Sequence, residues 1–436
     1  MTDPDRLPAP RGPLTRTIAD LRGGDGPTLI CTGGVHGNEP AGIYAAREVA
    51  RKLQTLSPSG SDPAWRGRFV AMVGNVAACN AADPTLRYIE HDLNRLATPE
   101  EIDRARALPP AKRHAEQQEL LELIDALRAI AGEAPHASTL LDLHTVSSPS
   151  PAFAYGEDSL PARRLGRALG LPLVLGFEEE LSGLLADYAT SELGVLSLVV
   201  EAGTHSDPES VSVHEAAIWT VLEAQGMVKS ASDAARFDVA QRLRAAAGRK
   251  TGRVFDIRQR VPVGSPPLEM LETAQAFTRV WKGLTRVATR HRPDRTEVLR
   301  APADGLLFMP NRQPRKRPED DAFFVLRPVW RRFMWVSARL RAMPAAHRLL
   351  EALPGVRRAD RHTLHIDPSI AAVMARDVLH LFGYRVLRGT PAPFHRPWTR
   401  AAMACIAIPR ALGRSLLGRR ADPGEVWIVR RHRLDL

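Results

Sequence analysis

Short unbroken apolar runs alternate with longer amphipathic stretches over the first 230 residues. Thr28–Thr32, Arg68–Gly74, Ser138–Thr145, Pro172–Leu175 and Gly194–Gly203 are too short for helices and too continuous for strands wetted on one side. They are read as strands buried on both faces. Ala41–Leu53, Pro99–Ala134, Ser159–Leu169 and Val213–Met227 carry helical spacing, with one or two helices in the second. Strands alternating with helices predict an α/β fold, a mostly parallel or mixed sheet flanked by helices. Such sheets carry their chemistry beyond the carboxyl ends of the strands.

After about Ser230 the pattern changes. A connecting helix over Ala235–Arg249 leads to short alternating segments at Gly252–Val261, Ala276–Val280, Arg286–Ala288, Ala301–Pro310 and Ala322–Arg327. Turn residues separate them, which predicts a small all-β domain. Beyond Pro328 lie Arg-rich helical segments at Arg331–Met343 and Ser369–Phe382 and a last strand at Glu425–Arg430. The expected division is 1–230, 231–328 and a basic mixed C-terminal extension, 329–436.

Composition sharpens this picture in two places. The chain of 436 residues carries +11 net charge, but residues 328–436 hold 20 Arg, no Lys and 7 acids, or +13. The remainder is therefore near neutral at −2, and the basic character belongs to the extension. No apolar run reaches the roughly 20 residues of a membrane-spanning helix. Met1–Pro13 is polar and Pro-rich, without the apolar core of a signal peptide. The three cysteines, Cys31, Cys79 and Cys405, are too far apart for a disulfide framework, which points to a reducing cytoplasm.

The candidate chemistry sits where the pattern places strand ends. Gly33-Gly34-Val35-His36-Gly37-Asn38-Glu39-Pro40 follows the first buried strand, and its imidazole and carboxylate suit a divalent metal, zinc above all. Alone this turn reads more readily as a helix start whose Asn38 or Glu39 satisfies free N–H groups. His144, at the end of the third strand, supplies the third ligand of a catalytic zinc. Asp142, two residues earlier on the same face, either orients an imidazole or caps a neighbouring loop. Glu201 ends the buried run Leu198-Val199-Val200 and is the candidate general base, since a carboxylate there is costly unless paired or functional. Arg87-Tyr88-Ile89-Glu90-His91-Asp92-Leu93-Asn94-Arg95 is too charged for core. It is read as an ordered loop in which Arg87, Asn94 and Arg95 hold a substrate carboxylate or face an oxyanion. His205 is a candidate pocket residue; His91, His362, His365 and His380 read as ordinary.

Taken in order, Gly34–Pro40, Arg87–Arg95, Asp142-Leu143-His144-Thr145 and Glu201-Ala202-Gly203 resemble the succinylglutamate desuccinylase/aspartoacylase family, a branch of the zinc-carboxypeptidase fold. The resemblance covers roughly residues 15–328, including a β domain that in the family folds over the active site. It implies one zinc per chain on His36, Glu39 and His144. It implies Glu201 as base and then proton donor, Arg87 near the oxyanion, and Asn94 and Arg95 on the substrate. The implied reaction is hydrolysis of the amide of an N-acyl amino acid or related N-acyl amine by metal-activated water.

Two positions depart from the family pattern. The Arg that aspartoacylases carry about ten residues before the catalytic Glu is replaced by Ala189-Thr190-Ser191-Glu192. The loop that brings a Tyr reads Met309-Pro310-Asn311-Arg312-Gln313, whose Arg312 is a candidate substrate contact. These departures argue against N-acetylaspartate and leave the acyl group open.

The extension lies past the family pattern. Its Arg residues, with Trp330, Trp335, Trp398 and Trp427 and the apolar stretch from Arg400 to Leu417, fit a helix packed on the protein better than an anionic membrane surface. Nucleic acid is disfavoured as a partner, and an oligomer is left open. The competing readings are a metallocarboxypeptidase on the same site, or a membrane- or nucleic-acid-associated binding protein with a vestigial hydrolase core.

Overall fold

The computed structural model describes residues 13–56, 64–228, 233–313, 316–367, 376–387 and 427–431. The chain separates into two compact units, one of Met1–Glu157 with Ala162–Pro328, the other of Asp158–Pro161 with Val329–Leu436.

The first unit is built on an 11-stranded sheet. In chain order its first seven strands are β1 (Thr17–Arg22), β2 (Gly24–Gly33), β3 (Arg66–Val73), β4 (Ser138–Val146), β5 (Phe153–Tyr155), β6 (Leu173–Leu175) and β7 (Leu196–Thr204). β8 (Val254–Pro262), β9 (Leu268–Met270), β10 (Arg279–Val280), β11 (Arg286–His291), β12 (Thr296–Arg300), β13 (Gly305–Phe308) and β14 (Asp321–Val329) follow. The spatial order is β1-β3-β2-β4-β7-β5-β6-β8-β14-β13-β10. The centre, β3-β2-β4-β7, is parallel, while β1 and β5 run antiparallel to β3 and β7. The fold is thus the expected mixed α/β sheet flanked by helices. β9, β11 and β12 form a separate three-stranded antiparallel sheet.

The segment 231–328 is β-rich as its pattern implies, and β8, β14, β13 and β10 continue the main sheet. Two of its strands lack an alternating signature. β9 is three residues long behind Pro266-Pro267, and β12 is mostly exposed, so neither carries the apolar period that marks a strand.

All nine residues of β4 are buried, as a strand covered on both faces requires. The helix Ala41–Thr55 packs close because Ala41, Gly42, Ala45, Ala46 and Ala50 keep its inner side small. A Cβ on Gly42 would meet Leu143 Cβ at 2.5 Å. The helices Pro99–Ala107 and Ala115–Glu133 put Ile102, Leu120, Leu123, Ile124 and Leu127 into one cluster with Ile30, Val70 and Leu140 of the sheet. A second cluster is aromatic, with Phe153, Tyr155, Phe177, Phe255, Phe277, Phe308 and Phe324 in mutual contact.

The second unit holds helices Arg331–Arg341, Pro344–Glu351 and Arg376–Leu381. Its four-stranded antiparallel sheet has β15 (Val356–Arg358), β16 (Thr363–Ile366), β17 (Tyr384–Leu387) and β18 (Trp427–Arg431) in the order β15-β16-β18-β17. Its core is Leu350, Val356, Leu364, Ile366, Leu379, Tyr384 and Val429. Part of its basic character is internal. Arg341 is fully buried and bonds Asp158 Oδ2 at 2.8 Å and the Asp158 carbonyl at 2.6 Å, while Arg385 reaches the same Oδ2 at 2.7 Å. Trp330 and Trp335 are exposed, and Arg339 stacks 4.8 Å from the Trp335 ring centre. Trp398 and the stretch 400–417 lie outside the described residues, and no helix among those described is long and apolar enough to cross a membrane.

Candidate metal centre and active site

The opening turn is shaped by glycine. Gly34 has φ +67°, a backbone region that a side chain disfavours, and a Cβ there would meet Cys79 Sγ at 2.6 Å. A Cβ on Gly37 would meet the carbonyl oxygens of Ala78 and Leu86, both at 2.6 Å. The turn therefore lies tight against its neighbours, and it presents His36 and Glu39 just beyond β2. β4 carries His144, and the parallel register of β4 with β7 sets Glu201 beside it. All four side chains are buried.

His36, Glu39 and His144 bring one donor atom each to within 4.8 Å of one another. The carboxylate of Glu39 stands between the imidazoles. Its Oε1 is 2.9 Å from His36 Nδ1 and its Oε2 is 3.2 Å from His144 Nδ1. The Thr145 N–H also donates to Oε2, at 2.9 Å, and Arg87 donates to Oε1 at 3.0 Å. Each imidazole has a second carboxylate behind it. His36 Nε2 is 3.1 Å from Asp92 Oδ1, and His144 Nε2 is 2.9 Å from Asp142 Oδ2. Asp142 is fixed in turn by Thr32, whose hydroxyl donates to Oδ1 at 2.5 Å.

This is the carboxylate–histidine pattern that orients metal ligands and leaves the other ring nitrogen for the ion. Burial opposes a charged His144, but Asp142 and Glu39 outweigh it and hold the imidazole well above its ordinary pKa. Such a field favours a cation at the donor set. Two imidazoles and a carboxylate are also the donors that zinc takes. Among the described residues this is the only group of three such side chains close enough to share an ion.

Glu201 has the opposite environment. Burial, reinforced by the nearby Glu39, pushes its carboxyl up to about 8, against the pull of His144 and Arg87. Its Oε2 is buried without a hydrogen-bond partner, which is costly for a carboxyl group. That orphan atom beside the His-Glu-His set is what a nearby cation and its water would satisfy. His205 is pushed down to about 4 by burial, so it is neutral; its Nδ1 lies 2.8 Å from Thr145 Oγ1.

The loop 87–95 is ordered by a buried carboxylate. Glu116, in the first turn of its helix, accepts from the N–H groups of Ile89, Glu90 and His91 at 2.6, 3.0 and 3.1 Å. Asp92 then binds both His36 and Arg87, the latter at 3.2 Å. The Leu185 N–H donates to Asn94 Oδ1 at 2.8 Å, which commits the oxygen and leaves the amide nitrogen as a donor. Arg95 pairs with Asp321 Oδ2 at 2.8 Å.

These groups line a cavity of about 100 Å3 with His36, Glu39, Arg87, Asn94, Arg95, His144, Glu201 and His205 on its wall. The residues expected at the site are thus together, with one exception. Arg312 is not part of the lining. Its guanidinium donates to the carbonyl oxygens of Leu271, Glu272 and Ala274 at 3.1, 3.0 and 3.2 Å, while its neighbours Asn311 and Gln313 do line the cavity. The structure adds groups that the sequence pattern left unassigned: Asp92, Thr145, Asp320, Asp321 and the ring of Tyr155. Asp92 lay inside a motif already singled out, and its pairing with a histidine 56 residues away was the missing piece.

Residues 25–224 match the family model of the succinylglutamate desuccinylase/aspartoacylase catalytic domain. An N-alpha-acetyl-L-2,4-diaminobutyric acid deacetylase of Halomonas elongata is 25% identical over 228 residues, which covers 50% of this chain and 60% of that protein. An N-acyl-aromatic-L-amino acid amidohydrolase (carboxylate-forming) of Homo sapiens is 34% identical over 117 residues, 23% of this chain and 29% of its own. The chain therefore spans less than two thirds of either relative. Among solved structures, a succinylglutamate desuccinylase/aspartoacylase from Rhodobacter sphaeroides superposes with a TM-score of 0.50 at 20% identity, over 72% of this chain and 88% of that one. The product-bound ectoine utilization protein EutE from Ruegeria pomeroyi gives 0.52 at 20% identity, over 71% and 87%. At such identities the superpositions show a shared fold. The strand-end histidines and the intervening carboxylate all lie within the matched segment, so residues 25–224 are similar in sequence and fold to the catalytic domain of the succinylglutamate desuccinylase/aspartoacylase family.

Proposed function

We propose that the chain is a zinc-dependent amidohydrolase that cleaves the amide of an N-acyl amino acid or a related N-acyl amine to a carboxylate and a free amine. The observation that carries this reading is the His36-Glu39-His144 donor set, backed by Asp92 and Asp142, beside a buried carboxyl whose Oε2 has no partner. The matched family segment and the two deacylating relatives support the same reaction class. A divalent ion on this set would supply a Lewis acid for the amide oxygen and lower the pKa of water to about 7.

The chain's own residues do the rest. Glu201 takes a proton from the attacking water at its carboxylate and returns it to the leaving nitrogen. Burial and the nearby Glu39 hold it protonated near neutrality, and positive charge in the donor set favours its ionised form, as a general base requires. Arg87, fixed by Glu39 and Asp92, presents positive charge to the oxygen of the tetrahedral state. Asn94 and Arg95 hold the substrate carboxylate, Arg95 through a planar fork suited to two parallel hydrogen bonds. The segment 231–328 supplies the far wall of the cavity through Met309–Asn311, Gln313 and Asp320–Asp321, and in this reading it closes the site.

Amine release from N-acyl amino acids by the full chain tests the proposal. Glu201→Gln is expected to bind zinc as the parent does while turnover falls by about 10²–10⁴, the usual share of a general acid–base group. Unchanged turnover in that variant would remove Glu201 from the reaction.

A further inference from the structure

The cavity's charge and its apolar wall say which acylated amines it can take. Two cations line it, Arg87 and Arg95, against five carboxyl groups, Glu39, Asp92, Glu201, Asp320 and Asp321. Both arginines are already paired, Arg87 with Glu39 and Asp92, Arg95 with Asp321. Adding a divalent ion at the donor set brings the wall at best to balance. One substrate carboxylate can still be served. Asp321 also binds Arg260, which lies outside the lining, so Arg95 can turn to substrate without stranding that acid. A second substrate carboxylate finds no further cation among the described residues of the wall, and it meets Asp320.

Beside the uncharged polar groups of Thr145, Ser147, Ser148, Asn311 and Gln313, one stretch of the remaining wall is apolar. Val146, Tyr155, Phe177, Leu181, Leu184 and Phe324 line it together. The Tyr155 and Phe177 rings lie 4.1 Å apart at 32°, and Phe324 meets Phe177 edge-on at 5.7 Å. Aromatic and branched side chains arranged in this way reward an apolar group and leave a charged one without a partner.

Resting on the deacylase reading above, we propose that the site selects N-acyl amino acids with a single carboxylate and an apolar acyl group or side chain, against Leu181 and the Tyr155–Phe177–Phe324 wall. It discriminates against substrates with a second carboxylate. The shared chemistry is a neutral apolar group. Whether it arrives on the acyl or the amino-acid side is separated by the choice of substrates.

The experiment measures kcat/KM of the full chain, purified with zinc, on four compounds. N-acetyl-L-phenylalanine carries the apolar group on the amino acid, and N-octanoylglycine carries it on the acyl. N-acetyl-L-aspartate and N-succinyl-L-glutamate carry extra carboxylates. At least one of the first two is expected to exceed both of the others by about tenfold or more, the discrimination that a few methylenes in an apolar pocket provide. Leu181→Arg is expected to reduce that ratio by about tenfold by giving the wall an unpaired cation. Equal or faster cleavage of the acidic compounds overturns the proposal, as does an unchanged ratio in Leu181→Arg. If none of the four releases amine, the deacylase reading fails and takes this inference with it. Cleavage of the acidic pair alone would leave the deacylase reading standing and overturn only the selectivity.

Discussion

Each unit of the chain buries a carboxylate among basic groups, and the two arrangements differ in what they leave open. In the second unit Asp158 receives Arg341 and Arg385 on one oxygen, and Arg341 also takes the Asp158 carbonyl. Opposite charges meet there at full hydrogen-bonding distance and hold helix Arg331–Arg341 to strand β17. In the first unit Glu39 stands between two imidazoles that each have another carboxylate behind them. Glu201 beside them is pushed up to about 8 and keeps an oxygen without a partner. Satisfied charge is what a core needs. Charge left unbalanced inside a core is tolerated where a ligand completes it, and such perturbed groups gather at functional sites. The contrast separates structure from chemistry more reliably than the mere presence of buried acids and bases, since both clusters set carboxylates against basic side chains.

The largest expected effect lies on the satisfied side. Asp158→Ala removes the one carboxylate that two buried guanidiniums share and is expected to cost ~3–5 kcal/mol of the second unit's stability, read as an earlier unfolding transition in urea. A variant as stable as the parent would show that the cluster is not a structural lock. A smaller effect is expected at the unbalanced site. Asp92→Asn keeps the shape behind His36 but removes the charge, and zinc affinity is expected to fall about 10–100-fold, measured by competition with a chelator. Unchanged affinity would reduce Asp92 to a partner of Arg87. The smallest effect on the site itself belongs to Arg312. Arg312→Ala removes three hydrogen bonds to backbone carbonyls outside the cavity, so a stability loss of about 1–3 kcal/mol with kcat and KM nearly unchanged is expected. A large rise in KM would instead return Arg312 to the substrate.

Both proposed histidine ligands and the proposed base were legible in the sequence because each follows a continuous apolar run. His36, His144 and Glu201 follow β-patterned segments whose burial the composition alone announces. The sheet then brings three strand ends to one place. Asp92 was legible only as part of a charged loop. Nothing local says that a carboxylate 56 residues downstream stands behind His36, and the loop is ordered by Glu116 on a helix with no visible link to it. Tyr155, Phe177 and Phe324 carry no mark of a site in the sequence, because an aromatic lining a cavity and one filling a core have the same apolar pattern. The joining of β8, β14, β13 and β10 to the main sheet was equally hidden, since strand pairing is decided by contacts distant in sequence. In Met309–Gln313 the loop was placed correctly at the site. Arg312 was its most chemically suggestive residue, yet its guanidinium braces the turn 271–274 while Asn311 and Gln313 line the cavity.

In the proposed reading a metal ion completes the unbalanced cluster. Metal content of the full chain, purified in zinc-containing buffer and dialysed, tests it most directly, alongside His36→Ala. About one zinc per chain is expected in the parent, as a three-ligand catalytic site holds, with that zinc lost in the variant. A parent chain free of metal, or a variant that keeps its zinc, would contradict it.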